Sequence, residues 1–217
     1  MNVFLRNIFF FIFFIFIVKS NAQGGDLLIQ QYRRGPDLNA NYPKLSVFLG
    51  PQSSRINTDL GTTSPTLTFG GELNVEFRVS KSVGLISGLG YSPVAYKYLS
   101  DETSSKDQLV YLTLPLMIRL KPTERVSINM GGIYSIYQSG TQTLDFNGKP
   151  EKISFEKGIF KNSVGGIVQM GYHFLDRFYG YVNYRWVKRF SPATQSQTNN
   201  LAGFQTGLSI VLWESKK

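Results

Sequence analysis

The chain contains no cysteine and one histidine, His173, in 217 residues. A disulfide framework, thiol catalysis and a cysteine zinc site are therefore excluded, and so are multi-histidine metal sites. Charge is scarce too, at 17% of residues against the usual quarter for a water-soluble domain. These shortages argue against a soluble enzyme with a titratable active site. After residue 22 no stretch reaches 18 apolar residues and none keeps a helical period. What the chain has in quantity is glycine (21), tyrosine (12) and phenylalanine (17).

Residues 1–22 read as a secretory signal peptide. Arg6 supplies the positive start, Ile8 to Val18 is an unbroken apolar run, and Ser20-Asn21-Ala22 places small residues where cleavage before Gln23 needs them. Eleven apolar residues make a helix of about 16 Å, too short for a bilayer core that takes about 20 residues. No cysteine follows the cleavage point, so lipoprotein processing is excluded. Removing Arg6 and Lys19 lowers the net charge from +9 to +7. For an exported chain this basic balance points to anionic lipid or glycan, and not to nucleic acid. The lysines at 149, 152, 157 and 161 alternate with Glu151 and Glu156, which makes a mixed-charge surface.

Residues 23–42 show no alternation and read as an irregular periplasmic leader. From residue 43 to 217 strict alternation recurs, the mark of half-buried strands. Thr66–Val79 holds one phase for fourteen residues, with Leu67, Phe69, Leu73, Val75, Phe77 and Val79 on one face. The same pattern marks Lys44–Gly50, Val83–Tyr98, Gln108–Leu120, Arg125–Ser139, Asn162–Phe174, Phe178–Phe190 and Leu201–Trp213. Short connections at 80–82, 121–124 and 175–177 alternate with long ones at 51–65, 99–107, 140–161 and 191–200. Eight strands joined in this way predict an all-β fold, an eight-stranded antiparallel up-and-down transmembrane β-barrel. A soluble lipocalin-type barrel would carry many more charges on its polar face, which here is mostly Gly, Ser, Thr and Asn. Pro93 and Pro115 interrupt strands, so a bulge or local break is expected at each.

The motifs Tyr111-Leu-Thr-Leu-Pro-Leu-Met-Ile-Arg119, Ile128-Asn-Met-Gly-Gly-Ile-Tyr134, Val164-Gly-Gly-Ile-Val-Gln-Met-Gly-Tyr172 and Tyr181-Val-Asn-Tyr-Arg185 resemble the PorT-like outer-membrane β-barrel family of Bacteroidota. The resemblance covers roughly residues 43–213. It implies a barrel in the cell outer membrane and an association with type IX secretion and gliding machinery. It brings no catalytic motif, cofactor or metal ligand.

Five charges fall on the polar face: Glu72, Glu76, Arg78, Arg119 and Arg185. Paired carboxylates serve acid–base chemistry and arginine ladders line anion pores. In a lumen only wide enough for side chains, an internal ion-pair network that fills and stiffens the barrel is the favoured reading. His173 falls on the same face near the turn end, away from the lipid surface that a lipid-cleaving histidine needs. Segment 140–161 carries an Asn147-Gly148 hairpin turn, with Phe146, Ile153, Phe155 and Phe160 around it. It reads as a protruding hairpin that could dock a partner by strand addition.

The expectation is a non-enzymatic outer-membrane barrel without cofactor, in contact with outer-membrane lipid and lipopolysaccharide. It would be structural or an accessory subunit of a larger envelope or secretion complex. The alternatives are a lipid-modifying enzyme, a small-solute pore, and a surface adhesion or binding protein.

Overall fold

The computed structural model describes residues 43–57, 62–80, 82–99, 104–146, 149–156, 160–175, 177–188 and 200–215. The segments expected to be a signal peptide (1–22) and a leader (23–42), and the Asn147-Gly148 pair expected to form a turn, lie outside the described residues. The strands are β1 (Pro43–Asn57), β2 (Thr62–Arg78), β3 (Val83–Leu99), β4 (Ser104–Leu120), β5 (Val126–Phe146), β6 (Lys149–Ser154), β7 (Ser163–His173), β8 (Phe178–Lys188) and β9 (Asn200–Glu214). Every pairing is antiparallel. β1 pairs with both β2 and β9, so eight strands close into a barrel, while β6 pairs with β5 alone among the described residues.

One hydrogen-bonded row shows how the barrel closes. It starts at Arg78 on β2, passes Gly84, Arg119, Asn129, Gln169, Asn183, Gln205 and Gln52, and returns to β2 at Thr68, ten residues higher. That stagger tilts the strands by about 40° and leaves a lumen that side chains can fill. Where β1 meets β9 the wall closes tightly. A Cβ on Gly50 would stand 1.9 Å from the Thr206 carbonyl oxygen, and one on Gly207 would stand 2.0 Å from that of Leu49. Only glycine allows the two backbones to approach so closely.

The polarity is inverted relative to a water-soluble barrel. Leu67, Phe69, Leu73 and Phe77 on β2, and Leu114, Leu116, Ile118 and Leu120 on β4, stand exposed on the outer wall. Glu72, Asn74, Glu76, Thr113 and Arg119 alternate with them and are buried in the lumen. From Leu67 to Phe77 the apolar run is about 25 Å tall at 3.3 Å per residue and a 40° tilt, the height of a bilayer-facing band.

Three expectations are corrected. The connections at 51–65 and 99–107 are mostly strand, because β1 runs to Asn57, β2 begins at Thr62 and β4 begins at Ser104. Ser, Thr and Gln satisfy the ladder as well as apolar residues do, so pairing continues after alternation stops. Secondly, the lumen is more than small polar residues. It contains three apolar clusters, centred on Tyr96 and Leu109, on Phe48 and Tyr179, and on Ile86 and Met117. Thirdly, Phe155 and Phe160 do not stand on an outer contact surface. Phe160 is buried, and Phe155 packs beside it on the lumen cluster.

The prolines act as chemistry demands. The β2–β3 ladder stops after Thr66↔Ala95 and resumes at Gly71↔Tyr91, opposite Pro93. The β3–β4 ladder skips from Ser87↔Leu116 to Gly90↔Thr113, beside Pro115. Neither proline has an N–H to donate.

Candidate functional site

The chemistry of this chain is in its lumen, which divides into two storeys. The lower one, toward the short turns, holds the charges that alternation aimed inward. Arg185 is its hub. Its guanidinium donates to Glu72 and to the side-chain oxygen of Gln205, to Ser92 Oγ at 3.3 Å, and from Nε to Asn183 Oδ1 at 3.3 Å. Asn74 Nδ2 donates to the other Glu72 oxygen at 3.2 Å, and Asn183 Nδ2 donates to Gln205 Oε1 at 3.1 Å.

Nearer the turns, Glu76 takes Arg119 on one oxygen and Arg78 on the other, the latter at 3.2 Å. Arg78 also reaches Glu214 at 3.2 Å, which ties the C-terminal strand to β2. Thus the structure brings Glu72 together with Arg185, and Glu76 with Arg78 and Arg119, as two separate clusters. Sequence reasoning missed four contributors. Glu214 sits at a strand end; Lys44 is buried with its Nζ 5.4 Å from the Tyr179 ring centroid; and Gln205 and Asn183 complete the coordination of Arg185. Their inward parity was readable, but their partners were not.

His173 lies in this lower storey, half-buried and stacked on Tyr179 with ring centroids 4.6 Å apart. Lys44, Lys121, Arg119 and Arg78 are the charged groups around it. Among the described residues no cluster of three or more His, Asp or Glu is placed to hold a metal ion.

The upper storey is built of aromatic and aliphatic side chains. Ile56, Val94, Tyr96, Leu109, Tyr111, Val187 and Leu201 line it, and Phe160 drops into it from the segment between β6 and β7. Phe160 packs against Tyr137 at 5.4 Å and against Phe155 at 4.9 Å between ring centroids. Asp107 is the one carboxylate buried there among the described residues. Burial pushes its carboxyl up from 3.8 to about 6, against the hydrogen bonds of Tyr96 and Gln142, which favour the charged form.

Above the rim, β5 continues into β6, pairing Thr141↔Ser154 through Phe146↔Lys149. Pro150 to Ser154 are exposed, Ile153 among them. The branch point is held by Asn162. Its Oδ1 accepts from the Tyr137 N–H at 3.0 Å and its Nδ2 donates to the Tyr134 hydroxyl at 3.2 Å.

No protein-family model matches the chain. No curated protein matches it either. Among solved structures it is similar to Ail, the attachment invasion locus protein of Yersinia pestis, with 14% identity, 79% of this chain and 99% of that chain covered, and a TM-score of 0.47. It is similar to Neisserial surface protein A, with 12% identity, 76% and 96% covered, and a TM-score of 0.47. It is also similar to the outer membrane protein OprG from Pseudomonas aeruginosa, with 11% identity, 80% and 98% covered, and a TM-score of 0.40. At these identities the likeness is one of fold. Closed antiparallel barrel, outward apolar band and a lumen filled by side chains that include buried charges together define the class, an eight-stranded barrel of the outer-membrane type.

Proposed function

We propose that this chain is a non-enzymatic protein of the bacterial outer membrane, acting as a structural or accessory subunit of an envelope complex. The carrying observation is the filled lumen. Two ion-pair clusters occupy the lower storey and an aromatic stopper occupies the upper one, so the barrel interior serves stiffness and not conduction. In this reading the short turns and both strand termini face the periplasm, and the β5–β6 hairpin stands on the cell surface, with the edge of β6 that pairs with no strand among the described residues as its docking element. Outer-membrane lipid and lipopolysaccharide surround the band. The motifs shared with the PorT-like family support a narrower form of the reading, a complex of the type IX secretion kind.

Two measurements test the reading. Extraction in mild detergent should give a particle heavier than one barrel, with larger envelope proteins co-eluting. A lone monomer with no companion would sink the accessory role. Planar-bilayer recordings should show no discrete conductance, and steady channel steps would sink the filled-lumen argument. A lipid-modifying enzyme would require His173 at the lipid surface, whereas it stacks on Tyr179 inside the barrel.

A further inference from the structure

We infer that the outer wall carries a seat for one acyl chain of a membrane lipid, centred on Gly71. Along β2 the outward positions Leu67, Phe69, Leu73 and Phe77 project, with 71%, 62%, 44% and 52% of their surface exposed. Gly71 interrupts that row with no side chain. Its partners across the two ladders are Leu49 on β1 and Tyr91 on β3, both about half exposed. The result is an open trough of about 450 Å³, floored by Gly71 and Val47 and walled by Phe69, Leu73, Leu49 and Tyr91. That volume is within the roughly 300–1,000 Å³ of small-molecule sites.

The outward glycines differ in what stands over them. Gly132 and Gly166 face each other across β5 and β7. There the Trp186 indole covers the Gly166 half, where a Cβ would stand 2.1 Å from the ring, while a Cβ on Gly132 would meet only the Gly165 carbonyl oxygen at 3.8 Å. At Gly71 an added Cβ meets the tip of Leu49 at 2.8 Å and the Phe48 carbonyl oxygen at 3.2 Å, and no aromatic ring covers it.

The trough also adjoins the break in the β2–β3 ladder. The Pro93 carbonyl oxygen there accepts from Thr68 Oγ1 at 2.7 Å and from the Gln52 side-chain amide, both reaching from the lumen. Side chains, not strand-to-strand bonds, hold the wall at this point, and a ladder irregularity of this kind bends and twists the strand. The trough is therefore built into the backbone.

Its position selects the occupant. It opens onto the apolar band, in the half nearer the hairpin end, so hydrocarbon of the outer leaflet is what meets it. A second barrel is the wrong shape. A stable protein interface buries about 1,200–2,000 Å² between matched surfaces, and a convex wall cannot enter a narrow trough.

The seat rests on the outer-membrane reading, and the experiment separates the two. The full chain is reconstituted in phosphatidylethanolamine–phosphatidylglycerol vesicles doped with a phospholipid that carries a diazirine on its acyl chain. After irradiation, adducts are mapped by mass spectrometry. Adducts on the segments containing Leu49 and Tyr91 should exceed those on the Trp186 segment several-fold. Gly71→Leu and, from the flank, Leu73→Trp should each lower them to the Trp186 level. Even labelling around the perimeter, or yields unmoved by both variants, would overturn the seat while leaving the membrane reading intact. Barrel-to-barrel cross-links at these residues would overturn it in favour of a second copy. A chain that never enters the vesicles would remove both readings.

Discussion

The lower and upper storeys of the lumen solve one problem with opposite chemistry. Both must fill a tube too narrow to hold bulk water. The lower storey, ringed by the apolar band, sets Arg185, Arg119, Glu72 and Glu76 in fixed pairs among the Phe48–Tyr179 and Ile86–Met117 clusters, whereas the upper one has no such pairs among the described residues. The upper storey, at the level where the outer wall turns polar at Lys97, Lys106 and Gln108, uses stacked aromatics and a phenylalanine delivered from a connecting segment. Ion pairs between strands lock their register but are costly if one partner is lost. Aromatic packing tolerates a moving element, because it is non-directional and each contact is small. The lower storey should therefore unfold as a unit with the barrel, and the upper storey should open on its own.

The largest effect that would test this difference is at Arg185. Replacing it with methionine strands Glu72 in the lumen with only Asn74 for company, and breaking a buried pair costs about 3–5 kcal/mol. The urea midpoint of the whole barrel in vesicles should fall. Adding Glu72→Gln to the Arg185→Met variant should restore much of the loss, since two neutral groups leave no bare charge. A barrel indifferent to Arg185→Met would make the lower storey as soft as the upper one.

The next effect belongs above. Phe160→Ala removes the stopper, at about 3 kcal/mol, the low end for such a truncation because water from the mouth can enter the hole. The loss should be local. Trypsin should cut at Lys161 far sooner, while the urea midpoint stays within error of the parent. A global shift equal to that of Arg185→Met would abolish the distinction between the storeys.

How much of this was readable without coordinates differs residue by residue. The faces were legible, since a period of two is a local property and Thr66–Val79 keeps it without error. The inward charges were legible for the same reason. Their matching was not, because Arg185 finds Glu72 across 113 positions and Arg119 finds Glu76 across 43. The inward apolar clusters were hidden differently: Phe48 and Tyr179 share the parity of Ser46 and Ser209, so composition alone gives the face the wrong character. The strand extensions at 51–57 and 62–65 are polar or mixed on both faces and leave no alternation to read. Asn147-Gly148 signalled a hairpin, and β5 and β6 pair as far as Phe146↔Lys149 on either side of it. That Phe160 turns inward depends on contacts with Tyr137 and with strands far away in sequence.

A smaller effect comes with pH. Asp107 is buried at the base of the hairpin and its carboxyl is pushed up from 3.8 to about 6 by burial. The folded upper storey therefore binds the proton more tightly than the unfolded one. Its stability contribution is fully present below pH 3.8 and is lost as pH rises through about 6. The difference amounts to about 2–3 kcal/mol at the limit. Trypsin cleavage at Lys161 should be slower at pH 5 than at pH 7.5 after correction for the protease's own pH profile. Asp107→Asn should flatten that dependence. The urea midpoint of the barrel should not follow Asp107 at all; if it does, the two storeys are one cooperative unit.

The finest test is at the branch point where β6 leaves the wall and β7 begins. There Tyr137 still pairs with Tyr111 on β4, but the β5–β7 ladder has ended at Ser135↔Ser163, and the Tyr137 N–H donates to Asn162 Oδ1 instead. Asn162→Ala removes that acceptor together with the bond to the Tyr134 hydroxyl. The site is exposed, so water replaces part of what is lost, and the cost is about 1 kcal/mol. In local opening that is about a fivefold rise in amide exchange at Tyr137, with no change at Asn129 or Gln169 lower in the same walls. If exchange rises throughout β5 and β7, the branch point is a hinge for the lower storey as well. If it rises only at Tyr137 and its hairpin neighbours, the side-chain cap of Asn162 separates a rigid barrel from a hairpin free to move.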